Sequence, residues 1–369
     1  MKKFDSSLAL WSPWMWRALQ LAALGEGSTS PNPLVGAVVL DKTGQLVGEG
    51  FHSCAGMPHA EVQALEQAGL KAKGGTLVVT LEPCCHQGKT PPCTEAILKS
   101  EIYRVVVAMQ DPDPRVSGSG IARLRDAGIE VLTGLLEREA AYQNRSFVFR
   151  VRNGRPWGIL KWAMSMDGRV GLPNGASQWI SSEKARTWVY GLRANCDAVI
   201  IGGGTMRSDD PVLTSRGLSN PEPLRVVFTR TLNLPQKAKL WDTSIANTLI
   251  AFGPEASQDC LLQLPLDPER LLLNSSDPMD LLNVLSEKGC NRVLWECGPS
   301  LANAAIKKGC VQEIAVVMAP KLLGGVSAMT PLASLGFTSM NQVLLLSNGS
   351  VQKLGKDWLF SNLLLDQEV

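Results

Sequence analysis

Three histidines occur in the 369 residues, His52, His59 and His86, and all lie in the first quarter of the chain. One opens the tripeptide His59-Ala60-Glu61 at the head of a helix-forming stretch. Glu82-Pro83-Cys84 then closes an apolar run, and Cys93 begins a second helical stretch. Imidazole and thiolate are ligands that zinc favours, and a site with three protein ligands keeps a position for water, whose pKa falls to about 7 on binding. A carboxylic acid that is no ligand, here Glu61, adds a proton carrier. Helix N-termini at His59 and Cys93 place positive macrodipole charge where thiolates would form. The residue types point to metal-assisted hydrolysis. A closed structural zinc site completed by Cys85, His86 or Cys54 is the alternative, and it has no use for Glu61.

The elements that must position these groups alternate between strand and helix, which predicts a layered α/β unit. Strands are expected at 34–40 and 46–51, joined by a turn at Asp41-Lys42-Thr43-Gly44, and at 76–81, 103–109 and 129–132. Helices are expected at 59–68, 93–99 and 120–127. Basic residues around Asn153-Gly154-Arg155-Pro156 read as a linker over 145–155, giving domains at 1–148 and 149–369. The second starts again with a strand at 157–164 and a helix at 183–193. Further strands are expected at 198–201, 224–228, 247–252, 292–296 and 313–318, while 261–278 has no clear assignment.

A chain of 369 residues suits two domains at roughly 100–200 residues each. With 45% hydrophobic and 19% charged residues the composition excludes disorder. The balance of 36 basic against 34 acidic residues, a net +2, argues against a nucleic-acid partner. No apolar stretch approaches the ~18 residues of a membrane span, and Asp5 interrupts the start before a signal-like core develops. Nine cysteines, an odd and sparse set, are expected as reduced thiols in the cytoplasm. Residues 1–148 hold 14 basic and 15 acidic side chains, a net −1, and the remainder 22 and 19, a net +3. A mildly basic second half suits a phosphorylated small molecule.

The His-x-Glu and Pro-Cys elements resemble the zinc deaminases, in which Glu hands a proton to the departing amine. Eight residues separate Cys84 from Cys93 where two are common, so the polar run 85–92 reads as a loop that also touches substrate. Four segments carry a more specific resemblance: Thr29-Ser30-Pro31-Asn32-Pro33-Leu34-Val35-Gly36-Ala37, Gly50-Phe51-His52, Pro58-His59-Ala60-Glu61, and the stretch from Thr80-Leu81-Glu82-Pro83-Cys84 to Pro91-Pro92-Cys93. Together they resemble the bifunctional riboflavin-biosynthesis deaminase/reductase family, over nearly the whole chain. The resemblance implies a cytidine-deaminase-like three-layer domain fused to a dihydrofolate-reductase-like α/β domain. It implies one zinc ion on His59, Cys84 and Cys93, catalysis by Glu61, and contacts from Asn32, His52, His86 and Lys89 to a phosphorylated pyrimidine. Assembly into identical subunits is also expected. Cys85 stands where the family usually has serine, and Asp113 where it often has asparagine, a change that sets a carboxylate against a phosphate.

In the second half, Gly202-Gly203-Gly204-Thr205 and Cys297-Gly298-Pro299-Ser300 follow expected strands. Such turns expose backbone N–H groups able to cradle phosphate, yet neither has the G-x-G-x-x-G spacing, so a Rossmann domain is not expected. The segments 159–169, 177–180 and 209–216 resemble the reductase domain of the same family. This implies NADPH contacts from Ala163, Trp179, Thr205, Asp209 and Gly298, and substrate contacts from Lys161, Ser177, Arg193, Leu213, Arg216 and Glu296. Lys161 and Asp209 are expected nearest the reacting carbon. Arg230, at the end of the 224–228 strand and with no acid beside it in sequence, favours a 2′-phosphate. Cys297 replaces a glycine common in the family. Its Cβ motivates the rival in which the deaminase works but the second domain only binds or dimerises. A nucleic-acid-editing deaminase is disfavoured by the neutral charge.

Overall fold

The computed structural model describes residues 6–87, 91–114, 116–347 and 349–364. One compact unit runs to Asn153 and a second starts at Gly154. Among the described residues, no helix is long and apolar enough to cross a membrane.

The first unit is built on β1 (Gly36–Leu40), β2 (Leu46–Phe51), β3 (Thr76–Leu81), β4 (Arg104–Met109) and β5 (Glu130–Thr133), in the order β2-β1-β3-β4-β5. β1 is antiparallel to both neighbours, and β3, β4 and β5 are parallel. Every residue of β1 and β3 is buried, so both faces of the sheet must be covered. Register shows by what. Ala37 pairs with Gly50 and Gly36 with Phe51, and successive strand residues point to opposite faces. Gly36 and Gly50 therefore look in opposite directions. A Cβ on Gly36 would lie 2.0 Å from the carbonyl of Ala18, in the helix Ser12–Ala23. One on Gly50 would lie 2.3 Å from that of Ala60, in the helix Ala60–Ala68. The two helices flank the sheet on opposite sides, and three layers result.

The linker expected over 145–155 is instead mostly the helix Arg145–Asn153, preceded by the helix Glu137–Gln143. Its arginines suggested solvent, but Phe147, Val148 and Phe149 between them are buried.

Among the described residues the second unit has nine strands: β6 (Trp157–Ser165), β7 (Ala198–Gly202), β8 (Leu224–Thr229), β9 (Thr248–Phe252), β10 (Glu269–Leu272), β11 (Arg292–Trp295), β12 (Glu313–Ala319), β13 (Ser350–Leu354) and β14 (Asp357–Leu363). Their order is β10-β9-β8-β7-β11-β6-β12-β14-β13. All neighbours are parallel except the pairs made by β14. β7, β9 and β11 are almost wholly buried, as a parallel sheet with two covered faces requires. Sequence periodicity missed β10 and the hairpin β13–β14. Both lie at sheet edges, where half-exposed strands carry mixed polarity.

Candidate active sites

β3 runs out at Leu81, and the chain then delivers Glu82-Pro83-Cys84 to the end of the sheet. Glu82, 3% exposed, fixes that corner. Its carboxylate accepts four backbone N–H bonds, from Asp111 (3.2 Å), Gly118 (2.9 Å), Gly120 (2.9 Å) and Ile121 (3.1 Å). Four bonds to one ion are strong because each is charge-assisted. They tie the segment after β4 to the strand that bears Cys84.

His59 is the N-cap of the helix Ala60–Ala68, and Cys93 is the first residue of the helix Cys93–Lys99. Among the described residues, His59, Cys84 and Cys93 form the cluster whose donor atoms lie within 4.8 Å of one another. The His59 Nδ1 is 3.1 Å from the Cys93 Sγ and 3.6 Å from the Cys84 Sγ. The Cys93 backbone N–H donates to the Cys84 Sγ at 3.3 Å. The hydrogen bond from Cys93, with His59 beside it, holds the Cys84 thiol down at about 4, against the effect of burial. Cys93 moves the other way, because the neighbouring Cys84 and burial both oppose its ionisation. Two thiols this close hold one negative charge between them, and a cation is needed to hold a second. That donor set fits zinc, and three donors suit a site that keeps a position for water.

Glu61, in the first turn of its helix and 3% exposed, lies beside the donors. Burial and the nearby Cys84 push it up to about 7. A carboxyl group poised near neutrality can take and return a proton, and a divalent cation on the three donors would pull it back down.

Asn32 Nδ2 lies 3.0 Å from His52 Nε2, and since Nδ2 can only donate, the ring accepts there. Burial and the nearby His59 hold His52 below the ordinary imidazole range, so it is neutral. Its ring meets that of His59 edge-on, 5.3 Å between centroids. The structure thus brings Asn32 and His52 to the donor cluster. His86 is exposed and lies close enough to Asp111 for the charges to be felt. Lys89 lies outside the described residues. Asp113 is close to that acid too, its N–H donating to the Asp111 Oδ1 at 2.9 Å.

In the second unit all twelve residues expected at cofactor or substrate line one cleft of about 1160 Å³. It opens at the carboxyl ends of β6, β7, β8 and β11, where parallel sheets bind ligands. Glu296 follows β11 and is the hub of its polar wall. Arg193 Nε is 2.6 Å from Glu296 Oε1 and Arg193 Nη2 is 3.1 Å from Oε2. Lys161 Nζ is 3.5 Å from the same Oε2. Burial alone would raise the Glu296 pKa, but the two cations outweigh it and hold the carboxyl at about 2. Arg193 Nη1 also donates to the Thr214 carbonyl at 3.0 Å. Leu213 and Arg216 have φ of 58° and 61°. That turn is held by Glu222, which accepts from Ser215 N (2.6 Å) and Gly217 N (2.9 Å).

Gly202 and Gly298 are the N-caps of the helices Gly203–Asp209 and Pro299–Lys307, so both glycine turns present helix N-termini to the cleft. Ser177 Oγ donates to Asp209 Oδ1 at 3.4 Å. Trp179 is exposed and carries the Arg186 guanidinium 4.6 Å above its ring. The Cys297 side chain packs against the hydrophobic core, and burial raises its thiol to about 12, which keeps it uncharged. Sequence reasoning passed over Arg186 and Tyr190, which also line the cleft. A signal was present: with Arg193 they are spaced i, i+4, i+7, one face of a helix. Tyr190 lies under Arg216, 5.6 Å from guanidinium carbon to ring centre.

Comparison with known proteins covers both units. Residues 11–109 match the family model of the cytidine and deoxycytidylate deaminase zinc-binding region, and 156–360 match that of the RibD C-terminal domain. The riboflavin biosynthesis protein RibD of Synechocystis sp. is 48% identical over 351 residues, 95% of each chain. That of Escherichia coli is 41% identical over 324 residues, covering 84% of this chain and 88% of that one. Among solved structures, Acinetobacter baumannii RibD is 38% identical, with a TM-score of 0.88 over 97% of this chain and 99% of that one. A Thermotoga maritima diaminohydroxyphosphoribosylaminopyrimidine deaminase/5-amino-6-(5-phosphoribosylamino)uracil reductase is 33% identical, with a TM-score of 0.85 over 97% and 99% of the two chains. Similarity of this degree through both units means that the chain belongs to the RibD family, whose members join a zinc-binding deaminase to a reductase in riboflavin biosynthesis.

Proposed function

We propose that the first unit hydrolyses the ring amine of 2,5-diamino-6-(5-phosphoribosylamino)pyrimidin-4(3H)-one, and that the second reduces the ribosyl group of the product to ribityl with NADPH. The observation that carries the first step is a buried, non-ligating Glu61 beside the three-donor cluster. His59, Cys84 and Cys93 would hold the zinc ion, which would supply the Lewis acidity that makes water a nucleophile at neutral pH. Glu61 would take one proton from water and hand it to the departing nitrogen; the water oxygen becomes the ring carbonyl, its second proton ends on the ring nitrogen, and ammonia leaves. Asn32 and His52 fix the pyrimidine edge, and His86 and Lys89 are further contacts to the same substrate.

In the second unit NADPH supplies the hydride. The cleft, about 1160 Å³, exceeds the roughly 300–1,000 Å³ usual for ligand pockets, which leaves room for a dinucleotide and a substrate together. Ala163, Trp179, Thr205, Asp209, Gly298 and Arg230 face the cofactor. Ser177, Leu213, Arg216 and the Arg193–Glu296–Lys161 group face the substrate, with Lys161 and Asp209 nearest the reacting carbon. Cys297 packs against the core and also lines the cleft beside Gly298, so the rival binding-only reading stands as the alternative. Nine cysteines outside any disulfide suit a reducing compartment, the cytoplasm. Large apolar side chains exposed at Leu322, Val326, Met340 and Leu345 favour assembly with identical subunits.

Purified protein given the diaminopyrimidine and NADPH should release ammonia and then consume NADPH absorbance. Ammonia release with no NADPH loss, even when the deaminated product is supplied, would favour the rival reading. Cofactor choice gives a sharper result. A guanidinium paired with a phosphate contributes roughly 1.5–3 kcal/mol. Glu255 is close enough to Arg230 for its charge to be felt, an acid that the strand end alone did not include. It weakens the field that a 2′-phosphate meets, so the preference for NADPH over NADH should sit at the low end, about tenfold. Arg230→Ala should remove it by weakening NADPH alone, and salt should erode it in the unmutated protein. Calorimetric titration of both cofactors checks this, and equal affinities before mutation would refute the role of Arg230.

A further inference from the structure

We propose that Asn144 is a positioning residue of the deaminase, holding the loop that presents Asn32. It lies between the helices Glu137–Gln143 and Arg145–Asn153. Its own backbone is fixed from both sides: its N–H donates to Ala140 O at 3.0 Å, and its carbonyl accepts from Val148 N at 2.9 Å. The side chain, in a residue 2% exposed, is aimed from that rigid base at one distant residue. Oδ1 accepts from Leu34 N at 2.8 Å and Nδ2 donates to Leu34 O at 2.9 Å.

Leu34 precedes the start of strand pairing at Gly36, so no ladder partner serves its backbone. The Asn144 amide takes the place of that missing strand. The need follows from the loop's composition. Pro31 and Pro33 carry no N–H, so the loop has few donors of its own and must be held through its carbonyls and through Leu34. Arg150 Nη2 donates to Pro31 O at 2.9 Å, from the same second helix. Asn32 N donates to Thr29 O at 2.8 Å, and His52 N to Val35 O at 2.9 Å. Asn32 is thus anchored before and after, and its amide meets His52 beside the donor cluster. A displacement near 1 Å of a contact residue can lower a rate by roughly 10²-fold, so a clamp that sets the position of a substrate contact bears directly on kcat/KM.

The inference rests on the reading that Asn32 touches the deaminase substrate. Its test uses full-length protein carrying Asn144→Ala, Asn144→Asp, Asn32→Ala, and each Asn144 variant combined with Asn32→Ala. Asn144→Asp keeps the shape and the acceptor for Leu34 N but loses the donor for Leu34 O. Zinc content, kcat and KM for ammonia release, and reduction of separately supplied deaminated product are measured on each. Either Asn144 variant should lower deaminase kcat/KM about tenfold or more, chiefly through KM. Zinc content and reductase rate should change less than about twofold, and in the Asn32→Ala background the further loss should also stay below about twofold. Loss that multiplies fully on top of an impaired Asn32→Ala overturns the clamp, as does loss of zinc in both Asn144 variants. Unimpaired deamination by Asn32→Ala alone would instead overturn the reading of Asn32.

Discussion

Cys84→Ser and Cys93→Ser are each expected to empty the metal site and abolish ammonia release, whereas Cys85→Ser keeps both zinc and activity. The Sγ atoms of Cys84 and Cys93 converge with the His59 Nδ1 inside 4.8 Å, and Cys85 is not part of that cluster. Adjacent side chains cannot readily both turn toward one tetrahedral metal without strain, so a metal that takes Cys84 leaves Cys85 outside its ligand set. A serine hydroxyl stays protonated where a thiolate is required. Outer-shell changes already weaken metal sites by roughly 10- to 100-fold, and loss of a ligand should exceed that. Emission spectroscopy for zinc, paired with the ammonia assay, decides the matter. Zinc lost from Cys85→Ser and kept by Cys84→Ser would show that the donor is the wrong member of the pair.

Glu61→Gln should retain zinc and lower ammonia release by at least ~10²-fold, the usual worth of a general acid/base. The amide keeps the volume of the carboxyl group in a site with 3% exposure, so packing is preserved. What disappears is the carboxyl group that can take a proton and hand it on, which burial and Cys84 raise and a divalent cation on the three donors lowers again. Reduction of deaminated product by the same preparation should be unchanged, since the twelve cleft residues lie in the other unit. Appreciable deamination by a zinc-loaded Glu61→Gln would remove Glu61 from catalysis.

Much of the architecture could be read before folding. β2, β3 and the helix Cys93–Lys99 begin and end where apolar patterning places them, because buried strands and helices write their period into the local sequence. The edge strands β10 and β13 could not be read, since an edge strand has one neighbour and solvent on its other side, and β14, paired with β12 and β13, was missed with its hairpin partner. The helix Arg145–Asn153 was masked by its arginines. One of them, Arg150, reaches back to Pro31 O, which is a reason for a cation there that no local pattern contains.

By itself the sequence determined the donor types, the proton carrier between them and the strand ends that deliver them. These depend on residue chemistry and on spacing within one or two elements. Only the tertiary structure decided which polar groups are held, and by what. Asn144 completes Leu34 from 110 residues away, and Glu296 draws in Arg193 from 103 and Lys161 from 135. A buried amide or carboxylate must find partners of the right sense and distance, and those partners come from whichever segments the packed sheet has already brought alongside, so no local period records them.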